Sequence, residues 1–283
     1  MEAVITSRFC SGLGDMHVGL YQIYTLQQEL KSIGYTVSTK IDLGRTPYKI
    51  HGNDRDVFKR IFRFDLLDNF EVLINSLEEK DYNLSVNYEL GYQYENIHKV
   101  YVTKKNKDLN TLNHVKDSWW CRDDLPKINL FSEEVTSYCE QQYQRQLFTR
   151  ALHYRVYSSD NEDNIERDLD ARKISIEKVI NADNSRIFVA TNKQFVKDYC
   201  KSTYGDIVYV NPFVFHNVHD GIRDMPLNDE ELFIVLKESL CDMYFLSHCS
   251  KIYRMADWFS AFLSFACLYN QTSTLNLNRF ELV

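Results

Sequence analysis

Residues 147–157 alternate apolar and polar side chains, so positions two apart share one face of a strand and His153 and Arg155 point the same way. Further strands are expected near residues 186, 206 and 251. Between and after them, helices are expected over 166–181, 194–203, 229–246 and 257–269. Strands that alternate with helices predict a parallel sheet. Nearer the start of the chain, 3–10 reads as a strand, 11–15 as a loop, 18–33 as an amphipathic helix and 35–43 as a second strand. Residues 56–75 read as one long or two short helices, and 99–103 as another strand. The stretch 108–130 carries Trp119-Trp120, Asp123-Asp124 and Pro126 without a clear period, which places a domain junction there. The expected fold class is α/β, with two Rossmann-like domains, residues 1–125 and 126–283, facing each other across a cleft.

Composition narrows the function classes. A chain of 283 residues with 44% hydrophobic content is long enough for a two-domain enzyme. A net charge of -7 argues against general nucleic-acid binding, which relies on a broad basic face. No stretch approaches the ~18 apolar residues of a membrane span, and the start has no basic-then-apolar leader, so a cytoplasmic protein is expected. Seven cysteines without Cys-x-x-Cys spacing suit a reducing compartment. Nine glycines and four prolines favour tightly joined lobes over tethered ones. The 19 tyrosines are read first as core residues with a wet hydroxyl, and only second as platforms for sugar rings.

Two further patterns bear on chemistry. Ser11-Gly12-Leu13-Gly14-Asp15 stands between a strand and a helix, where glycines let a backbone approach an anion at a helix N-terminus. The third glycine of a dinucleotide fingerprint is missing, so a simple tight turn is the competing reading. Asp54-Arg55-Asp56 and Asp168-Leu169-Asp170 have the Asp-x-Asp form that holds a divalent ion against a diphosphate. Both read more simply as helix starts or solvated helix faces, and His216 and His219 as incidental loop histidines. No metal site and no cofactor are expected.

The segments around His153 and Asp242 together resemble the fucosyltransferase superfamily of nodulation, core α-1,6 and protein O-fucosyltransferases. Its first motif, His-x-Arg with an acidic residue beyond, is matched by His153-Tyr154-Arg155 and Asp160. Its second is matched by the run 186–192 and the helix after it, except that the family's Asp is replaced at Asn192 or Lys193. Its third is matched by Asp242, Leu246-Ser247, Cys249, Ile252 and Phe259-Ser260. Where the family has two small hydroxyl residues facing the donor's phosphates, this chain has Asp257 and Trp258. A carboxylate only accepts and an indole has one donor, so the donor's identity is open.

The resemblance implies a GT-B glycosyltransferase that needs no metal, and an inverting transfer from a nucleoside-diphosphate sugar to a glycan hydroxyl. GDP-fucose is the leading donor, with a UDP-sugar such as UDP-xylose as the alternative. Arg155 would clamp the departing phosphate, a fixed charge with paired donors. His153, Gly12, Gly14, Asp242, Ser247, Asp257, Trp258 and Ser260 would surround the donor, although helix capping competes as the role of both serines. Asp15 is the first choice for the base that takes the acceptor's proton. The C-terminal domain would hold the donor and the N-terminal domain the acceptor. The alternative from another class is a protein that binds a nucleotide sugar or a glycan without turnover.

Overall fold

The computed structural model describes residues 2–9, 34–42, 55–73, 85–87, 98–104, 129–146, 148–154, 162–213, 227–255 and 280–282, together with scattered positions between 13 and 32. The chain divides into two compact units. The first comprises Met1–Glu134, Asn228–Phe233 and Gln271–Leu275, and the second Val135–Leu227, Ile234–Asn270 and Asn276–Val283.

The first unit is built on β1 (Glu2–Phe9), β2 (Thr36–Asp42), β3 (Phe70–Leu73), β4 (Ser85–Asn87) and β5 (His98–Lys104), in the order β3-β2-β1-β5-β4. β1, β2 and β3 run parallel, whereas β5 is antiparallel to β1, and β4 to β5. Leu20, Ile23, Gln27 and Leu30 are helical and buried at the spacing of one helix face, as the sequence predicts. That helix ends in a Schellman motif: Tyr35 N donates to Leu30 O and Gly34 N to Lys31 O, both at 3.0 Å. Gly34 has φ +89°, a conformation that costs a side-chain-bearing residue energy, and Leu30 and Tyr35 are both buried beside it.

Only part of the predicted helical stretch 56–75 is helical. Helix α1 (Arg55–Ile61) and a 3₁₀ turn (Phe64–Leu66) are followed by edge strand β3. Arg60, at the end of α1, donates to Glu230 at 2.6 Å and to Glu134 at 3.1 Å, and its guanidinium lies 3.5 Å over the Phe233 ring.

The second unit holds α2 (Glu133–Gln144) from Val135 on, β6 (Arg150–Tyr154), α3 (Glu162–Ile180), β7 (Ile187–Thr191), α4 (Gln194–Tyr204), β8 (Val208–Val210), α5 (Asp229–His248) from Ile234 on, β9 (Lys251–Arg254) and β10 (Phe280–Leu282). All its strand pairs are parallel, in the order β10-β9-β6-β7-β8, as the alternation of strands and helices predicts. Every residue of β6 and β7 is buried. The alternation around residue 153 therefore separates two covered faces of the sheet, not core from solvent.

On one face Leu152, Tyr154, Val189 and Tyr253 pack against Ile176 and Val179 of α3 and Val196 and Cys200 of α4. On the other, Phe188 and Tyr209 meet Phe245 of α5, with ring centroids 5.1 and 6.0 Å apart. Arg150 is 3% exposed and ties the end of α3 to β6. Its guanidinium donates to Val179 O at 2.7 Å, Ile180 O at 2.9 Å and Asp183 O at 2.8 Å, and also to Ser185 O. A buried cation at a helix C-terminus faces the negative end of the helix dipole and satisfies carbonyls that have no partner within the helix. No helix among the described residues is long and apolar enough to cross a membrane.

Candidate functional site

In the second unit the chain steps outward from β6 to β7 and β8, then returns to the other side of β6 as β9 and β10. The strand order thus reverses between β6 and β9. Above the carboxyl ends of such a pair the flanking connections leave in opposite directions, which opens a ligand crevice. Register places His153 of β6 beside Ala190 of β7 and Arg254 of β9, one row on the face that α5 covers. His153 is 6% exposed, and its carbonyl accepts from Met255 N at 3.1 Å, which carries the pairing to the rim. Arg155 follows β6 directly in the chain; it and Asp160 lie outside the described residues, as do Asp257, Trp258 and Ser260 beyond β9.

The same carboxyl rim continues to β8, where a buried polar cluster forms. Asn211 leaves β8 and donates from its single amide nitrogen to Asp242 Oδ1 at 2.8 Å and to Glu238 Oε2 at 3.2 Å. Tyr138 of α2 donates to the other oxygen of Glu238. Lys197, 2% exposed, sends its ammonium to Asn211 O at 2.9 Å and Phe213 O at 2.8 Å. Asn211 Oδ1 accepts from Phe213 N at 3.0 Å, closing the turn. Burial pushes the Asp242 carboxyl up to about 7, with Lys197 and the Asn211 amide opposing and Glu238 adding to the rise. Burial lowers the Lys197 ammonium against the pull of Asp242, Glu238 and Asp198. Beside the cluster is a pocket of about 270 Å³ whose walls include Tyr138, Tyr209, Phe213 and Glu238. At the head of α4, Gln194 Oε1 is buried without a hydrogen-bond partner among the described residues.

Of the residues singled out in the sequence, His153 and Asp242 are brought to this rim. Ser247 is not. It is fully buried near the end of α5, its hydroxyl donating to Tyr244 O at 2.6 Å, and β9 starts only after it, so it lies toward the opposite end of the sheet. The geometry gives it the helix-terminal role. Leu13, inside the expected glycine loop, is helical and buried, while Gly12, Gly14 and Asp15 lie outside the described residues. In the second Asp-x-Asp, Leu169 is buried and Asp170 pairs with Lys173 at 2.6 Å on the outer face of α3. His216 and His219 lie outside the described residues.

Sequence reading passed over Lys197, Asn211 and Glu238. The available signal was the i, i+4 spacing of Glu238 and Asp242, two carboxylates on one face of a helix whose neighbours are apolar.

No protein-family model and no curated protein sequence matches the chain. Solved structures do. Fucosyltransferase NodZ from Bradyrhizobium, in its selenomethionine form, is 15% identical over 97% of this chain and 93% of that one, with a TM-score of 0.52. NodZ α-1,6-fucosyltransferase soaked with GDP-fucose is 16% identical over 95% and 93%, and the form co-crystallised with GDP is 16% identical over 94% and 92%, both with a TM-score of 0.52. With its doubly wound parallel sheet in one unit and its three parallel strands and antiparallel pair in the other, the chain has the α/β, GT-B-type fold of the fucosyltransferase NodZ.

Proposed function

We propose that the chain is a glycosyltransferase that moves a sugar from a nucleoside-diphosphate sugar to a glycan hydroxyl. The observation that carries this reading is the reversal of strand order between β6 and β9, with His153 on the rim and the His-x-Arg motif running off the end of β6. That is where α/β sheets bind ligands, and the similar structures of NodZ were obtained with GDP-fucose and GDP. The second unit takes the donor and the first the acceptor.

Sugar transfer builds positive charge at the anomeric carbon and negative charge on the leaving diphosphate. A fixed cation at that phosphate lowers the barrier, and Arg155 supplies one with two parallel donors and no metal. His153, buried beside it in sequence, adds an imidazole N–H toward the same group. Asp15 takes the proton of the acceptor hydroxyl as its oxygen bonds to the anomeric carbon from the face opposite the departing diphosphate, a single displacement that inverts the configuration. GDP-fucose is the leading donor; Asp257 and Trp258, which replace two hydroxyl residues, are the reason to assay UDP-xylose beside it. We place the reaction in a reducing, cytoplasmic compartment, which the seven cysteines without Cys-x-x-Cys spacing suit.

The test is transfer and donor hydrolysis with GDP-fucose and UDP-xylose, each in EDTA and in Mn²⁺. Turnover of one donor in EDTA is expected. Arg155→Ala should lower that turnover by about a hundredfold or more while the melting curve stays in place. Activity within a fewfold of the parent would remove Arg155 from the phosphate, and turnover confined to Mn²⁺ would overturn metal independence.

A further inference from the structure

Helix α4 opens on the rim at the end of β7, and it opens without a cap. Its N-cap residue, Lys193, makes no side-chain hydrogen bond to the first turn, and that turn holds no acidic residue. Among the described residues nothing accepts from the first-turn amides of Gln194, Phe195 and Val196. Asp198, the first carboxylate along the helix, accepts from the Gln194 side chain at 2.9 Å instead. Lys197 adds a second cation near the positive end of the helix dipole, and its ammonium goes to the carbonyls of Asn211 and Phe213. Unfilled amides and positive charge with no anion beside them are what an oxyanion completes.

Lys193 itself is an independent sign of a ligand. Its backbone is engaged, the N–H donating to Thr191 Oγ1 at 3.3 Å and the carbonyl accepting from Lys197 N at 3.4 Å. The residue is only 8% exposed, yet its ammonium makes no ion pair or hydrogen bond among the described residues. That nitrogen is not one of the enclosed side-chain atoms that lack a partner, so a ligand can reach it. A cation held this deep without an anion is costly. Its place also matters. Helix α4 packs on the sheet face of Leu152, Tyr154 and Val189, whereas His153 stands in the row that α5 covers. By its spacing Arg155 belongs to the His153 face. Two cations on opposite faces of one rim call for two anionic groups.

We propose that Lys193 and the N-terminus of α4 bind a carboxylate on the sugar part of the substrate, apart from the diphosphate, so that Lys193 selects a uronic acid borne by the donor or by the acceptor. The superfamily that the chain resembles has Asp at this position or the one before it, and a carboxylate there repels such a ligand where an ammonium attracts it. The proposal rests on the transferase reading above.

The experiment compares sugars that differ at one carboxylate. The donor pairs are UDP-glucuronate against UDP-xylose and GDP-mannuronate against GDP-mannose, measured by calorimetry. The acceptor pair is methyl glucuronide against methyl xyloside, measured by NMR titration in the presence of UDP and of GDP. In one kind of pair the carboxylate form should bind about tenfold tighter, and the kind that shows it identifies the source. Lys193→Met should abolish that preference and leave the affinity of the uncharged sugar in place. Lys193→Asp should reverse the preference and, by supplying the missing cap, raise the melting temperature; it serves if the Met variant does not fold. A lysine that only braces the fold would lower the melting temperature and leave the preference intact. Equal binding within every pair overturns the proposal, as does a preference that survives in the Lys193 variants. So does an equal loss of affinity for plain UDP or GDP in Lys193→Met, which would put the diphosphate at this site. Each of these results leaves the transferase reading standing. Binding of no nucleotide and no sugar overturns both.

Discussion

At the residue scale, the second unit keeps two kinds of buried charge, and their energetics run opposite ways. Arg150 is fully satisfied by the carbonyls at the end of α3 and by the Ser185 hydroxyl at 3.0 Å. Arg150→Met keeps the apolar stem and strands those carbonyls. It should cost about 3 kcal/mol or more, read as a lower urea midpoint with an unchanged slope. Asp242 is raised from 3.8 to about 7, chiefly by burial. A carboxyl that holds its proton more tightly folded than unfolded favours folding below its unfolded value and loses that contribution as pH rises toward 7. Asp242→Asn keeps an oxygen for the Asn211 amide and cannot ionise. Its melting temperature should therefore exceed the parent's by a margin that grows from pH 5 to pH 8, as thermal melts across that range will show. A margin that shrinks with pH would mean that Asp242 is stabilised as the anion. A buried carboxyl that lowers stability when it ionises is a functional-site candidate.

At the scale of elements, α5 carries its own start signal. Asn228 Oδ1 accepts from Glu231 N at 3.0 Å, and Glu231 Oε2 accepts from Asn228 N at 2.9 Å, a reciprocal capping box. Asn228→Ala should destabilise by about 1 kcal/mol in chemical denaturation. An unaffected midpoint would mean that water replaces the cap without cost. Legibility in the sequence followed the strength of such local signals. α5, α4 and the strands β6, β7 and β9 were readable because each presents an apolar face, or two, at its own period. β3 was not, since it is a four-residue edge strand whose Phe70 is 37% exposed, and an edge strand needs no clean alternation. α2 was not either: only Val135 and Cys139 are buried, a stripe too narrow to stand out. Strand direction in the first sheet was equally hidden, because β5 alternates in the same way whether it pairs parallel or antiparallel. Lys197 was missed because a lysine after Phe195-Val196 reads as the wet side of a helix, although its stem crosses the rim to two carbonyls.

At the scale of the whole molecule, two α/β units and a doubly wound sheet in the second make a fold that many chemistries share, and the chemistry has to be located at a site. The central claim is that a nucleotide sugar lies across the carboxyl ends of β6 and β9. Its most direct measurement is a crystal structure with GDP and with UDP. The account predicts the diphosphate beyond His153, beside Arg155, with the base or ribose at Asp242. A nucleotide seated on the first unit, or one that leaves the β6–β9 rim empty, would contradict it.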